Sequence, residues 1–216
     1  MSDTLLDRFE VAFEHLPLVA IMRGVRPDEA LPLTQVLYDQ GFRLIEIPLN
    51  SPDPFTSIEA VRKALPTDAL VGAGTVTSVD EVSRLAAIGA DLVVMPHSDN
   101  AVIKAARAAD MICTPGIATP TEAFAALAAG ANALKCFPAE LLVPAVVKAI
   151  GTILPKNTKL LPVGGIRPDN MHEFLMSGAA GFGLGSALYK PGLTATELAE
   201  RAQNFVTAIR NERKAM

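Results

Sequence analysis

The stretch Thr121-Glu-Ala-Phe-Ala-Ala-Leu-Ala-Ala-Gly130-Ala-Asn-Ala-Leu-Lys135-Cys-Phe137 decides how this chain is read. Thr121 to Ala128 has helical composition, Gly130-Ala131 stops it, and Ala133 to Phe137 is a short apolar run of strand type. The same unit of helix, glycine pair and strand recurs at Gly41-Phe42, Gly89-Ala90 and Gly178-Ala179. Eight strand-type runs follow at intervals of roughly 20 to 25 residues: Leu18 to Met22, Leu44 to Pro48, Ala69 to Gly72, Leu92 to Met95, Met111 to Thr114, Ala133 to Phe137, Leu160 to Val163 and Gly181 to Leu184. Helix-period segments lie between them, such as Pro27 to Gln40, Asp80 to Ile88, Ala101 to Ala109 and Pro144 to Ile150, and Ala195 to Arg210 closes the series.

The runs are continuously apolar rather than alternating, so each strand is expected to be covered on both faces, as in a parallel sheet with right-handed crossovers. Eight strands without a second lobe favour one TIM (β/α)8 barrel over residues 1–216, with a doubly wound open sheet as the alternative. Helix starts are marked at Pro27-Asp28-Glu29, at Ser78-Val79-Asp80-Glu81 in capping-box form, and at Pro120-Thr121-Glu122. The composition agrees: 50% hydrophobic, 19% charged and only 5% aromatic, which implies an aliphatic core.

A net charge of −4 without basic runs argues against nucleic acid as a partner. No run of about 18 uncharged apolar residues exists to span a membrane. Met1 to Glu14 carries four acids and lacks the form of a signal peptide. Cys113 and Cys136 have no ligand spacing, and His15, His97 and His172 fall on unrelated segments, so neither a zinc site nor a metal-dependent aldolase is expected. A cytoplasmic protein with two buried thiols and no cofactor is the reading.

In a barrel of this kind chemistry sits at the C-terminal strand ends. Those ends read Arg23-Gly24, Glu46, Gly74-Thr75, Pro96-His97, Pro115-Gly116, Lys135, Gly164-Gly165 and Gly185-Ser186. Lys135 stands between apolar neighbours on a buried run. A desolvated ammonium near Arg23 loses basicity and frees an amine to attack a carbonyl; the plainer alternative is a lysine that reaches the rim or pairs with a carboxylate. Glu46, equally enclosed, suits a general acid/base, or else a buried ion pair with Lys135 or Arg23. Gly164-Gly165 and Gly185-Ser186 suit a phosphate cradle in the loops after strands seven and eight, although turns also use glycine for backbone reasons. Thr75 offers a hydroxyl to a ligand or caps a helix. Phe137 either walls the site or belongs to the core.

Arg23-Gly24, Ile45 to Pro52, Gly72 to Val76, Pro115-Gly116, Leu134 to Pro138 and Pro162 to Ile166 together resemble the 2-keto-3-deoxy-6-phosphogluconate / 6-phosphogalactonate aldolases, from about Leu18 to the last helix. The resemblance implies reversible cleavage of a phosphorylated keto-acid sugar to pyruvate and glyceraldehyde 3-phosphate by a homotrimer. It implies a Schiff base on Lys135 and acid/base chemistry on Glu46. Substrate contacts are implied at Arg23, Thr75, Gly165, Gly185 and Ser186, with Gly164 beside them. Leu49-Asn50-Ser51 and Val163-Gly164-Gly165 look like the galactonate branch, whereas Phe137-Pro138-Ala139-Glu140 is closer to the gluconate branch. Replacing Thr by Val beside the site removes a donor and could change which C4 epimer is held. The galactonate substrate is therefore expected, the gluconate epimer second. A thiamine-phosphate or tryptophan-pathway type of barrel, or a phosphosugar-binding protein without catalysis, remains open from the residues alone.

Overall fold

Strand follows helix along the chain with little else between them. The structure, a computed structural model, describes residues 4–215; Met1–Asp3, which begin the acidic N-terminal stretch, and Met216 lie outside the described residues. The order is α1 (Leu5–His15), β1 (Leu18–Ile21), α2 (Pro27–Asp39), β2 (Leu44–Pro48), α3 (Pro54–Ala64), β3 (Leu70–Gly74), α4 (Val79–Ala87), β4 (Leu92–Val94), α5 (Asn100–Ala108), β5 (Ile112–Thr114), β6 (Gly116–Ile117), α6 (Pro120–Ala129), β7 (Leu134–Cys136), α7 (Pro144–Ile153), β8 (Leu160–Pro162), α8 (Met171–Met176), β9 (Phe182–Leu184) and α9 (Ala195–Ala215).

All pairings among these strands are parallel, in two ladders ordered β5-β4-β3-β2-β1-β9 and β6-β7-β8. The expected fifth run, Met111 to Thr114, is β5. After Pro115, which has no N–H to give to a ladder, the chain adds a two-residue strand, β6, outside the eight expected runs. Between the two ladders, Val163 and Gly183 form a parallel bridge, and Ala180 N donates to Leu160 O at 2.9 Å. The fold is thus an α/β arrangement with a curled parallel sheet.

Local chemistry sets the helix ends. Ser78 and Glu81 cap α4 reciprocally, as their spacing predicts, and Thr119 and Glu122 do the same for α6. Gly41, Gly89, Gly130 and Gly178 all take positive φ, the left-handed stop that the repeated glycine pair signals. Two helices absent from the sequence reading, α1 and α3, complete the layer. Helix α1 closes the N-terminal end of the strands. Its Phe9, Ala12 and Phe13 pack with Leu44, Leu70, Leu92, Ile112, Ala133 and Leu161, most of them residues that open a strand. Asp91 ties the same end together: it binds Arg8 of α1 at 3.4 Å and Arg62 of α3 at 2.8 Å, and accepts from Val71 N at 3.0 Å. With that end sealed, the opposite strand ends are left to open into a cavity. Among the described residues no helix is long and apolar enough to cross a membrane.

Candidate functional site

Two cavities meet at Lys135. The outer one, about 560 Å³, opens at the C-terminal strand ends and is lined by Arg23, Lys135, Phe137, Gly164-Gly165 and Gly185-Ser186 among others. The inner one, about 20 Å³, lies among the strands and holds Glu46, Lys135 and Thr114 within an apolar shell. Ile21, Lys135 and Val163 line both. Of the eight residues to which the resemblance gives a role, all but Thr75 therefore line one cavity or the other.

Lys135 occupies the middle of β7, hydrogen-bonded in register between Gly116 and Leu161, and is only 4% exposed. It neither reaches the rim nor pairs with a carboxylate: no acidic oxygen among the described residues lies within ion-pairing distance of its amine. Its nearest aromatic neighbour is Phe137, whose ring centre is 4.7 Å from Nζ, so Phe137 is a wall of the site. Burial depresses the basicity of the amine; the Glu46 charge works against that shift and the Arg23 charge adds to it.

Glu46 is 1% exposed, and its Oε2 has no hydrogen-bond partner. Burial raises its carboxyl from 4.5 to about 7, with Lys135 and then Arg23 restraining the rise. The ion pair that would have made Glu46 a purely structural group is absent. The carboxyl fits there because position 74 on the neighbouring strand is glycine, since a Cβ at that position would stand 1.6 Å from Oε2. An unpartnered acid near pH 7 beside an amine of lowered basicity is a pair able to pass protons at neutral pH.

Arg23 is exposed at the end of β1, and its Nη1 donates to Asn50 Oδ1 at 2.7 Å. Ser51 Oγ accepts from Gly24 N at 2.9 Å. Asn50 and Ser51 thus hold Arg23 and its loop. Thr75 follows Gly74 with φ +57, a conformation that a β-branched residue rarely adopts. It is not a helix cap, because Ser78 caps α4. It lines neither cavity, and strain of this sort concentrates at functional segments.

Gly164 and Gly165 turn with φ +111 and +63 beneath the side chain of Glu140, and Gly185 starts the turn after β9. Arg167 and Lys190 also line the outer cavity. They escaped the sequence reading, although each lies within a few residues of a glycine loop, which was the available signal. His97 contributes only a backbone carbonyl, accepting from Gly116 N. Among the described residues, no group of three or more His, Cys, Asp or Glu stands where it could hold a metal ion.

Comparison with known proteins gives one answer. The family model described as KDPG and KHG aldolase matches residues 10–205. The chain is 46% identical over 197 residues to a probable 2-dehydro-3-deoxy-6-phosphogalactonate aldolase of Rhizobium meliloti, covering 91% of this chain and 93% of that one. It is 45% identical over 195 residues to the 2-dehydro-3-deoxy-6-phosphogalactonate aldolase of Escherichia coli, covering 90% and 95%. A solved structure described as native KDPGal superposes with a TM-score of 0.91 at 44% identity, over 92% of this chain and 97% of that one. The chain belongs to the KDPG and KHG aldolase family.

Proposed function

We propose that the protein is a class I aldolase that reversibly cleaves 2-dehydro-3-deoxy-6-phosphogalactonate to pyruvate and D-glyceraldehyde 3-phosphate. The observation that carries this reading is the buried, unpaired Lys135 at the base of a cavity of about 560 Å³, with unpartnered Glu46 on its inner side. The neutral amine of Lys135 attacks the C2 ketone, and Glu46 supplies the proton that lets the carbinolamine lose water as the imine forms. Loss of the C4 hydroxyl proton to the carboxylate drives the C3–C4 bond to break. The aldehyde leaves, and the bond electrons remain as an enamine on the pyruvate carbons. Protonation at C3 and addition of water then release pyruvate and restore the amine.

Arg23 is assigned to the substrate carboxylate. Gly164, Gly165, Gly185 and Ser186 are assigned to the phosphate; for Thr75, which lines neither cavity, the reading keeps a role in the strained turn that follows Gly74. These assignments are supported by the basic side chains that line the outer cavity and by the open space over the α-carbon of Gly185. The reading takes the chain as one domain closed into an eightfold barrel, supported by the Val163–Gly183 bridge across the gap between the ladders. It also carries a homotrimer, for which Phe124, Leu141 and Val143 leave large apolar side chains exposed, and a cytoplasmic location, for which Cys113 and Cys136 are free thiols.

The gluconate epimer is the second reading, favoured by Glu140 in the segment after β7. Release of pyruvate from the two C4-epimeric phosphates at equal concentration separates them. A higher kcat/KM for the galactonate epimer supports the assignment, and a higher value for the gluconate epimer reverses it.

A further inference from the structure

Among the described residues Glu140 is the one carboxylate lining the outer cavity, beside four basic side chains: Arg23, Lys135, Arg167 and Lys190. A substrate with a carboxylate at one end and a phosphate at the other has no use for a further negative charge, so this residue needs a separate account. Its position is set by the glycine loop. A Cβ at Gly164 would stand 2.2 Å from Glu140 Oε2 and 3.0 Å from Cδ, and one at Gly165 would stand 3.2 Å from Cγ. The carboxylate therefore lies directly on the α-carbon of Gly164, at the edge of the loop assigned to the phosphate.

We propose that Glu140 is a specificity residue whose carboxylate accepts a hydrogen bond from the substrate hydroxyl next to the phosphate-bearing carbon, C5 of the keto acid and C2 of the aldehyde product. The proposal rests on the aldolase reading above. An ionised carboxylate only accepts, so it can bond neither the phosphate dianion nor the substrate carboxylate. The donors left on the substrate are the C4 and C5 hydroxyls. C2 is fixed at Lys135 and the phosphate at Gly164-Gly165, so C4 lies toward Lys135 and Glu46 while C5 lies toward the phosphate, beside Glu140. The side chain is exposed and solvated in the free protein. A ligand that fills the cavity replaces that water with one charge-assisted bond. A neighbouring phosphate weakens the arrangement unless the hydroxyl is there to be held, which makes the hydroxyl a condition of tight binding rather than an option.

The test runs the reaction in the aldol direction with pyruvate and one of two acceptors: D-glyceraldehyde 3-phosphate, or 3-oxopropyl phosphate, which lacks only the hydroxyl. Glu140→Ala is expected to lower kcat/KM for the hydroxylated acceptor by about 10- to 100-fold, the scale of a lost hydrogen bond to a charged group, and to leave the deoxy acceptor nearly unchanged. Glu140→Gln, whose amide oxygen still accepts, recovers part of the loss. Equal losses on both acceptors, or a gain on both because a repelling charge has gone, overturn the proposal. Borohydride trapping of pyruvate on Lys135 in the same variants stays at the wild-type level, since pyruvate carries neither hydroxyl nor phosphate. A wild-type protein that traps no pyruvate refutes the aldolase reading itself, a result distinct from any of these.

Discussion

Replacing Glu46 by Gln keeps the shape of the side chain and removes its ability to ionise, which sets two accounts of this residue against each other. In the folded protein burial holds the carboxyl protonated up to about pH 7, against 4.5 for the exposed group. Between those values the folded state binds more protons than the unfolded chain, so stability falls as pH rises. The penalty is absent below pH 4.5, grows from there, and is complete once pH has passed 7. A difference of that size corresponds to about 3 kcal/mol, at 1.36 kcal/mol for each pH step. Glu46→Gln should therefore match the wild type at pH 4.5 and exceed its stability by about 3 kcal/mol at pH 8, while turnover falls by about 10²- to 10⁴-fold. Urea denaturation at the two pH values, with midpoints and slopes compared, measures it. Were Glu46 a stabilising partner of Lys135, the variant would instead be less stable at pH 8 than the wild type. That sign refutes the reasoning.

Gly74→Ala pushes a methyl group to 1.6 Å from Glu46 Oε2 and should cost about 1–3 kcal/mol of stability along with most of the activity. In a Glu46→Gln background the further loss of activity should be small, and a double-mutant cycle in kcat/KM checks this. Thr75→Gly relieves the backbone at φ +57 and should raise stability by about 1 kcal/mol while lowering kcat/KM, measured by urea denaturation and steady-state rates. Asp91→Ala removes the carboxylate shared by Arg8 and Arg62 and leaves the Val71 N–H without its side-chain acceptor, although Arg62 keeps the carbonyls of Leu65, Pro66 and Ala69; it should cost about 1–3 kcal/mol in denaturant without changing kcat of the protein that remains folded.

The strands and most helix starts were legible because local chemistry writes them: continuous apolar runs, Ser78 three residues before Glu81, and a glycine at each left-handed stop. Lys135 and Glu46 were legible for a related reason, since a charge within an apolar strand is an anomaly that needs no partner to be seen. Helix α1 was missed although Thr4 and Asp7 form a capping box and Phe9, Ala12 and Phe13 have helical spacing. Its purpose, to cover the strand openings, exists only once the sheet has curled. The two-residue β6 was hidden because Pro115-Gly116 reads as the end of the fifth run.

The contacts that fix the site were the least legible. Gly74 against Glu46, Asn50 against Arg23 and Glu140 against Gly164 each join different strands or loops, and no spacing along the chain announces them. The sequence marked which residues were unusual, and the fold decided which of them meet.

The central claim is that Lys135 forms an imine. Incubating the protein with pyruvate and borohydride, then digesting it and mapping the product by mass spectrometry, tests this directly. The account predicts a stable adduct on the peptide carrying Lys135, absent from Lys135→Ala. A folded wild-type protein without an adduct, or with one on another lysine, contradicts it.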